Sequence, residues 1–260
     1  TITGEYVGGL VGYVSRSSAS IVSSHAHGDV TGEGTDSDNN VDGIGGLVGY
    51  FYGDSIIDSS ASGNVTGNSS IINEIGGLVG IYEGSGNITN SSASGEVLGH
   101  FKEIGGLVAE LESGSIVDSH ATGNVTVVYE HNTSDDNAEE IGGLVGKFEG
   151  DTITGSTATG SLSVSENKNI SDLGGDITDV GGLVGEVDSG SISESSATGS
   201  ITLGGSYQSD LGGLVGEFEG TNITDSYATG AVSAADGDDV GGLVGEFEGT
   251  NITDSYATGA

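Results

Sequence analysis

The pentapeptide Gly-Gly-Leu-Val-Gly starts at Gly8, Gly45, Gly76, Gly105, Gly142, Gly181, Gly212 and Gly241, with Ala109 closing the fourth copy in place of glycine. Successive copies lie 29 to 39 residues apart, so this is a repeat chain, and what matters is how one unit folds and meets the next. An apolar residue follows at a fixed offset: Val14, Phe51, Tyr82, Leu111, Phe148, Val187, Phe218 and Phe247. Leucine, the last glycine and this residue therefore alternate, and alternation with period two predicts a strand with one buried face.

Four later columns admit a single residue type in every copy. They are isoleucine (Ile21 in the first copy, Ile252 in the eighth), serine (Ser24 to Ser255), alanine (Ala26 to Ala257) and glycine (Gly28 to Gly259). A valine-like column follows at Val30, Val65, Val97, Val125, Leu162, Ile201 and Val232. Serine, alanine, glycine and valine fall on one face, and the three-residue step from isoleucine to serine predicts a bend. The serine column reads as structural: stacked hydroxyls can form a ladder or bond the backbone at a corner. Eight equivalent serines offer no singular nucleophile with a base beside it.

Length variation is confined to one place. Between the valine column and the next Gly-Gly the chain has 14, 10, 7, 16, 18, 10 and 8 residues, which puts variable loops along one edge of a regular rod. One unit carries few large apolar side chains, each contributing roughly 1.5–3 kcal/mol when buried, against an ordering cost of about 1–2 kcal/mol per residue. A unit therefore needs its neighbours. The fold expected is all-β: a β-solenoid of about eight stacked coils with one pentapeptide per coil, roughly 35 Å long at a strand spacing of about 4.8 Å. A propeller blade needs about 40–50 residues, more than the shorter units supply. Residues 1–260 read as a single repeat array, and the coil-like Thr1-Ile2-Thr3-Gly4 and the ending inside a coil at Ala260 mark it as a fragment of a longer protein.

With 39 acidic residues against four Lys or Arg, the chain carries a formal net charge of −35. No basic stripe for nucleic acid or an anionic membrane can be built from it. Glutamates flank the apolar residue of the first strand, as Glu217 with Glu219 and Glu246 with Glu248, so stacking brings like charges together. Charges ~4.8 Å apart repel by about 0.9 kcal/mol in water, a penalty largely screened at 1 M salt, where the Debye length is about 3 Å; the rod reads as adapted to high salt or bound cations. There is no cysteine, so no disulfide, and no apolar run approaches the ~20 residues of a membrane span.

The loop with Asp36, Asp38, Asn40 and Asp42 places oxygen ligands at alternate positions, as calcium loops do. It lacks the sixth-position glycine and twelfth-position Glu, and the reading of a solvated acidic loop is preferred. No other cofactor is expected. Asn64, Asn68, Asn87, Asn90, Asn124, Asn132, Asn169, Asn222 and Asn251 open Asn-Xaa-Ser/Thr sequons and are candidate glycosylation sites if the protein is exported. His25 and His120 are three coils apart, too far to share a metal, while Tyr227 and Tyr256 occupy one outward column and are expected to stack. Paired carboxylates such as Glu217 and Glu219 could serve glycoside hydrolysis, but their repetition argues for a charged wall.

The Gly-Gly-Leu-Val-Gly core with its isoleucine, serine, alanine and glycine columns resembles the GLUG-motif repeats, whose Gly-Leu-any-Gly core reads here Gly46-Leu47-Val48-Gly49. The resemblance spans essentially the whole chain. It implies large exported surface proteins of bacteria and archaea, including adhesin-like proteins, and no catalytic residues within the repeats. The function expected is a noncatalytic extracellular rod of a cell-surface protein from a halophilic microbe. Its partners would be neighbouring repeats, copies of itself, and cell-surface or matrix components. The alternative is a self-assembling subunit of an extracellular or viral fibre.

Overall fold

Among the residues described by the computed structural model (4–33, 42–68, 72–100, 102–129, 137–166, 176–204, 207–235 and 237–259) all regular structure is β, and each strand pairs in parallel with its counterpart in the adjacent coil. One coil holds five short strands, which in the second are Gly43–Gly45, Val48–Phe51, Ile56–Ile57, Ser60–Ala61 and Val65–Gly67. Stacking turns them into four ladders of eight strands and one of seven. Like pairs with like: Ile56 lies against Ile21 and Ile88, and Ala61 against Ala26 and Ala93. The chain is a β-solenoid.

The three-residue step from isoleucine to serine is a corner. The residue before each serine has positive φ: Ser23 (47°), Asp58 (50°), Asn90 (48°), Asp118 (47°), Gly155 (60°), Glu194 (51°), Asp225 (50°) and Asp254 (49°). Asn, Asp and Gly dominate this column because they tolerate left-handed backbone best. The turn interrupts the peptide ladder, and serine repairs it. Ser91 Oγ donates to the Thr89 carbonyl (2.9 Å) and accepts from the Ser59 amide of the preceding coil (3.2 Å). The same pair of bonds recurs through Ser156, Ser195 and Ser226, so the serines form a ladder and bond the backbone at a corner.

The interior divides into two parallel cores. One collects Leu47, Val48, Phe51, Ile56, Ala61 and their equivalents; the other collects Val7, Ile44, Val65, Ile75 and theirs. The Gly-Gly pair runs between them, where a Cβ on Gly46 would lie 2.2 Å from the Gly77 carbonyl oxygen of the next coil and 2.8 Å from the Ala61 Cβ. Glycine and alanine are thus fixed by a waist that admits nothing larger.

Two expectations need correction. Strict alternation through the pentapeptide fails, because Leu47 and Val48 are both fully buried. The chain bends at Gly46 and Leu47, between the strands Gly43–Gly45 and Val48–Phe51, and Gly49 beyond the bend has no room for a Cβ, which would meet backbone of the preceding coil and of its own corner (Val7 N at 2.6 Å, Gly43 O at 3.0 Å). The insertions are also more than surface loops. The strands Val125–Tyr129 and Leu162–Glu166 extend the fifth ladder, while Asp176–Ile177 and Tyr207–Gln208 form an additional pair. Val127, Val164, Leu203, Ala138 and Ile177 from these segments are buried in the second core.

Candidate functional site

The turn from the first ladder to the second brings two outward columns face to face across a trough that runs along the rod. One wall is the residue before the first-ladder apolar position: Tyr6, Gly43, Glu74, Glu103, Glu140, Asp179, Asp210 and Asp239. The other is Tyr13, Tyr50, Ile81, Glu110, Lys147, Glu186, Glu217 and Glu246, held in register by the second ladder. From Glu103 onward the first wall has positive φ, at 49° to 57°, a backbone state that costs a non-glycine residue about 1 kcal/mol or more.

The trough changes chemistry along its length. At coils 1 and 2 it is aromatic: the rings of Tyr6, Tyr13 and Tyr50 cluster with centroids 4.8–5.2 Å apart. Ile81 marks the boundary, its side chain 3.4 Å from where a Gly43 Cβ would be. Beyond it the walls are carboxylates interrupted by Lys147, whose Nζ lies 3.4 Å from Asp188, 3.6 Å from Glu140 and from Glu149, and 3.8 Å from Glu186. Lys102 pairs with Glu139 beside the trough.

Burial is the main cause of the unusual proton affinities here. It raises Glu103 to about 9, with Glu110, Glu74 and Glu140 adding to the effect and Lys147 opposing it. Glu74 rises to about 8, chiefly by burial, and Glu110 to about 7 by burial and then Glu112 and Glu149. Burial would lower the Lys147 ammonium, but its four carboxylates more than reverse that. Glu186 is raised despite its contact with Lys147, because burial, Asp188 and Glu140 outweigh one shared positive charge. Asp179 and Glu217, facing each other, are both raised by burial first. Glu103 Oε2, Glu140 Oε2 and Asp210 Oδ1 are buried without a hydrogen-bond partner among the described residues.

Of the residues singled out from sequence, Glu217 and Glu246 stack in register as anticipated, and Tyr227 and Tyr256 stack with rings 5.2 Å apart and 5° from parallel. His25 and His120 bond hydroxyls of the next coil, at Ser60 (2.9 Å) and Thr157 (3.0 Å). Asp36, Asp38 and Asn40 lie outside the described residues, while Asp42 donates its amide to the Glu5 carbonyl (2.7 Å). Asn64, Asn68, Asn87, Asn90, Asn124 and Asn251 are exposed and Asn222 is half-buried, whereas Asn132 and Asn169 lie outside the described residues. The facing column of Glu74, Glu103, Glu140, Asp179 and Asp210 escaped the sequence reading. Its signal was present: in six successive copies an acid directly precedes the apolar residue that leads into Gly-Gly.

Known sequences share the repeat. The GLUG motif matches residues 42–66, 72–98, 176–202 and 207–233. Each window opens just before the Gly-Gly waist and closes just past the valine column, so the motif is one coil. The chain carries GLUG repeats. It is also 34% identical over 128 residues to halomucin of the halophilic archaeon Haloquadratum walsbyi, a match that covers 47% of this chain and 1% of halomucin. No solved structure matches. No helix long and apolar enough to cross a membrane occurs among the described residues.

Proposed function

We propose that this GLUG-repeat solenoid is a stretch of a noncatalytic extracellular rod, a spacer or adhesive segment on the surface of a halophilic cell. One observation carries the reading: all eight coils present the same scaffold in register, and the trough repeats acidic pairs without setting one apart. A glycosidase needs one protonated and one ionised carboxyl at a single position, whereas here similar pairs recur along the rod. The net charge of −35 and the likeness to a halophile's halomucin support a salt-rich exterior, where screening relieves the stacked carboxylates. Exposed Asn64, Asn68 and Asn87 would accept glycans there. Antibody raised against the rod should label intact, unpermeabilised cells of the source organism. Labelling only after lysis would overturn the proposal.

A second reading, end-to-end assembly into a fibre, draws on the outermost coils, where Leu10, Val22, Val240 and Ile252 are exposed and the strands keep one unpaired edge among the described residues. A further coil of the same polypeptide would cover those edges equally well. Electron microscopy of native material separates the two, since fibres of uniform width favour assembly and single projecting chains reject it.

A further inference from the structure

An N-linked glycan attaches to asparagine through Nδ2 and leaves the side-chain oxygen able to accept, so what each amide already bonds decides whether the folded rod can take one. Six sequons lie wholly within the described residues, opening at Asn64, Asn87, Asn90, Asn124, Asn222 and Asn251. Two belong to a ladder at the corner before the valine column. Asn64 Oδ1 accepts from the Glu96 amide of the next coil and Asn124 Oδ1 from the Ser161 amide, both at 3.0 Å. Only an oxygen can meet a backbone N–H, so these side chains are oriented by the ladder, and neither nitrogen has an acceptor among the described residues. Asp29 does the same for the Asn64 amide with a carboxylate oxygen (2.9 Å), so the ladder needs the oxygen and not the nitrogen. Asn87 is exposed on the strand Asn87–Thr89, beside buried Ile88, and its side chain makes no hydrogen bond among the described residues.

Other amides are engaged through nitrogen. Asn90 stands in the left-handed corner (φ 48°) and donates Nδ2 to Asp58 Oδ1 at 2.5 Å. Asn251 donates Nδ2 to Oδ1 of half-buried Asn222 at 2.9 Å. We propose that Asn64, Asn87 and Asn124 carry N-linked glycans while Asn90 and Asn251 stay bare, the folded rod itself doing the sorting. The inference rests on the extracellular reading above and chooses among its sequons. In the transfer, Nδ2 attacks the anomeric carbon of a glycosyl phosphate donor, the bond from that carbon to the phosphate oxygen breaks, and the amide proton leaves with the phosphate. At Asn64 and Asn124 the oxygen keeps its ladder amide throughout, so no bond between coils is lost. At Asn90 a carboxylate must first be released. Asn64 and Asn124 share one outward column two coils, or roughly 10 Å, apart, and Asn87 lies on another ladder, so the glycans cover two sides of coils 2 to 4.

Site-resolved glycopeptide mass spectrometry of the full chain, secreted by a halophilic archaeal host, tests this. Occupancy at Asn64, Asn87 and Asn124 is expected to exceed that at Asn90 and Asn251 by about five- to tenfold, the factor for freeing a nitrogen from one hydrogen bond. Asn87 and Asn251 open the same Asn-Ile-Thr tripeptide, so a transferase's own sequence preference cannot produce that difference. Cleavage after glutamate places Asn251 on 249–260 and Asn222 on 220–246, which keeps the repeated stretch distinct. Asp58→Gly removes the acceptor at a corner where Gly155 already serves in the same column, and should raise Asn90 occupancy several-fold. Equal occupancy at all five sites, none at any, or an unchanged Asn90 in Asp58→Gly would overturn the proposal. Labelling of intact cells is read separately, so a rod that reaches the surface bare refutes the sorting and leaves the location standing.

Discussion

The two ends of the trough share one backbone and differ in what lines it. In coils 1 and 2 Tyr6, Tyr13 and Tyr50 cover the turn with stacked rings, a contact that gains from burial and is indifferent to salt. From coil 4 onward the same positions, Lys147 excepted, hold acidic side chains, and the register that stacks Glu186 on Glu217 and Glu217 on Glu246 cannot relax without breaking the ladder. The scaffold therefore fixes distance and leaves charge to be settled separately, by protons, by Lys147 or by dissolved cations.

Substitutions that exchange the two chemistries probe this contrast. The largest effect is expected from Lys147→Met, which strips the ammonium from four carboxylates; allowing for solvent screening at a partly open site, thermal or urea unfolding in dilute salt should register a loss of about 2 kcal/mol that shrinks in 1 M salt. Next comes Tyr50→Glu, which carries the acidic wall into the aromatic end. It should cost about 1 kcal/mol and introduce salt dependence there, read as a stability difference between low and high potassium chloride. In the opposite direction, Glu110→Tyr extends the aromatic wall past Ile81 and should stabilise the rod in dilute salt by roughly 0.5 kcal/mol. A fall in stability on that exchange would show that the charged end depends on its acids for packing. Smallest of all, Glu248→Gln on exposed coil 8 should shift stability by less than about 0.5 kcal/mol in the same assay.

Much of the scaffold is legible in the sequence, because it depends on columns of one residue type. The stacking, the corner before serine, the hydroxyl ladder and the tight glycines all leave uniform columns, since each position meets the same neighbour in every coil. The trough leaves no such trace on its second wall, where Tyr13, Ile81, Glu110 and Lys147 share a position but no chemistry. Its first wall lies in the stretch of variable length and reads as loop. Glu103 and Glu110 face each other only because the chain turns at the glycine waist between them, a geometry that period-two alternation does not encode. The second core was hidden for a related reason: Val127, Val164 and Ile177 sit in insertions of unequal length and align only once the strands pair.

Gly212–Ala231 and Gly241–Ala260 are the same twenty residues, and at every seam the serine amide of one coil donates to the serine hydroxyl of the next. Ser195 donates its amide to Ser226 Oγ at 3.2 Å, and Ser226 donates to Ser255 Oγ at 3.1 Å. If residues 212–240 were excised, Ser255 would present to Ser195 the hydroxyl that Ser226 had offered. The joint is interchangeable, so the length of such a rod can be edited by whole units without redesigning the serine ladder, and its reach becomes a quantity set apart from how that ladder is held.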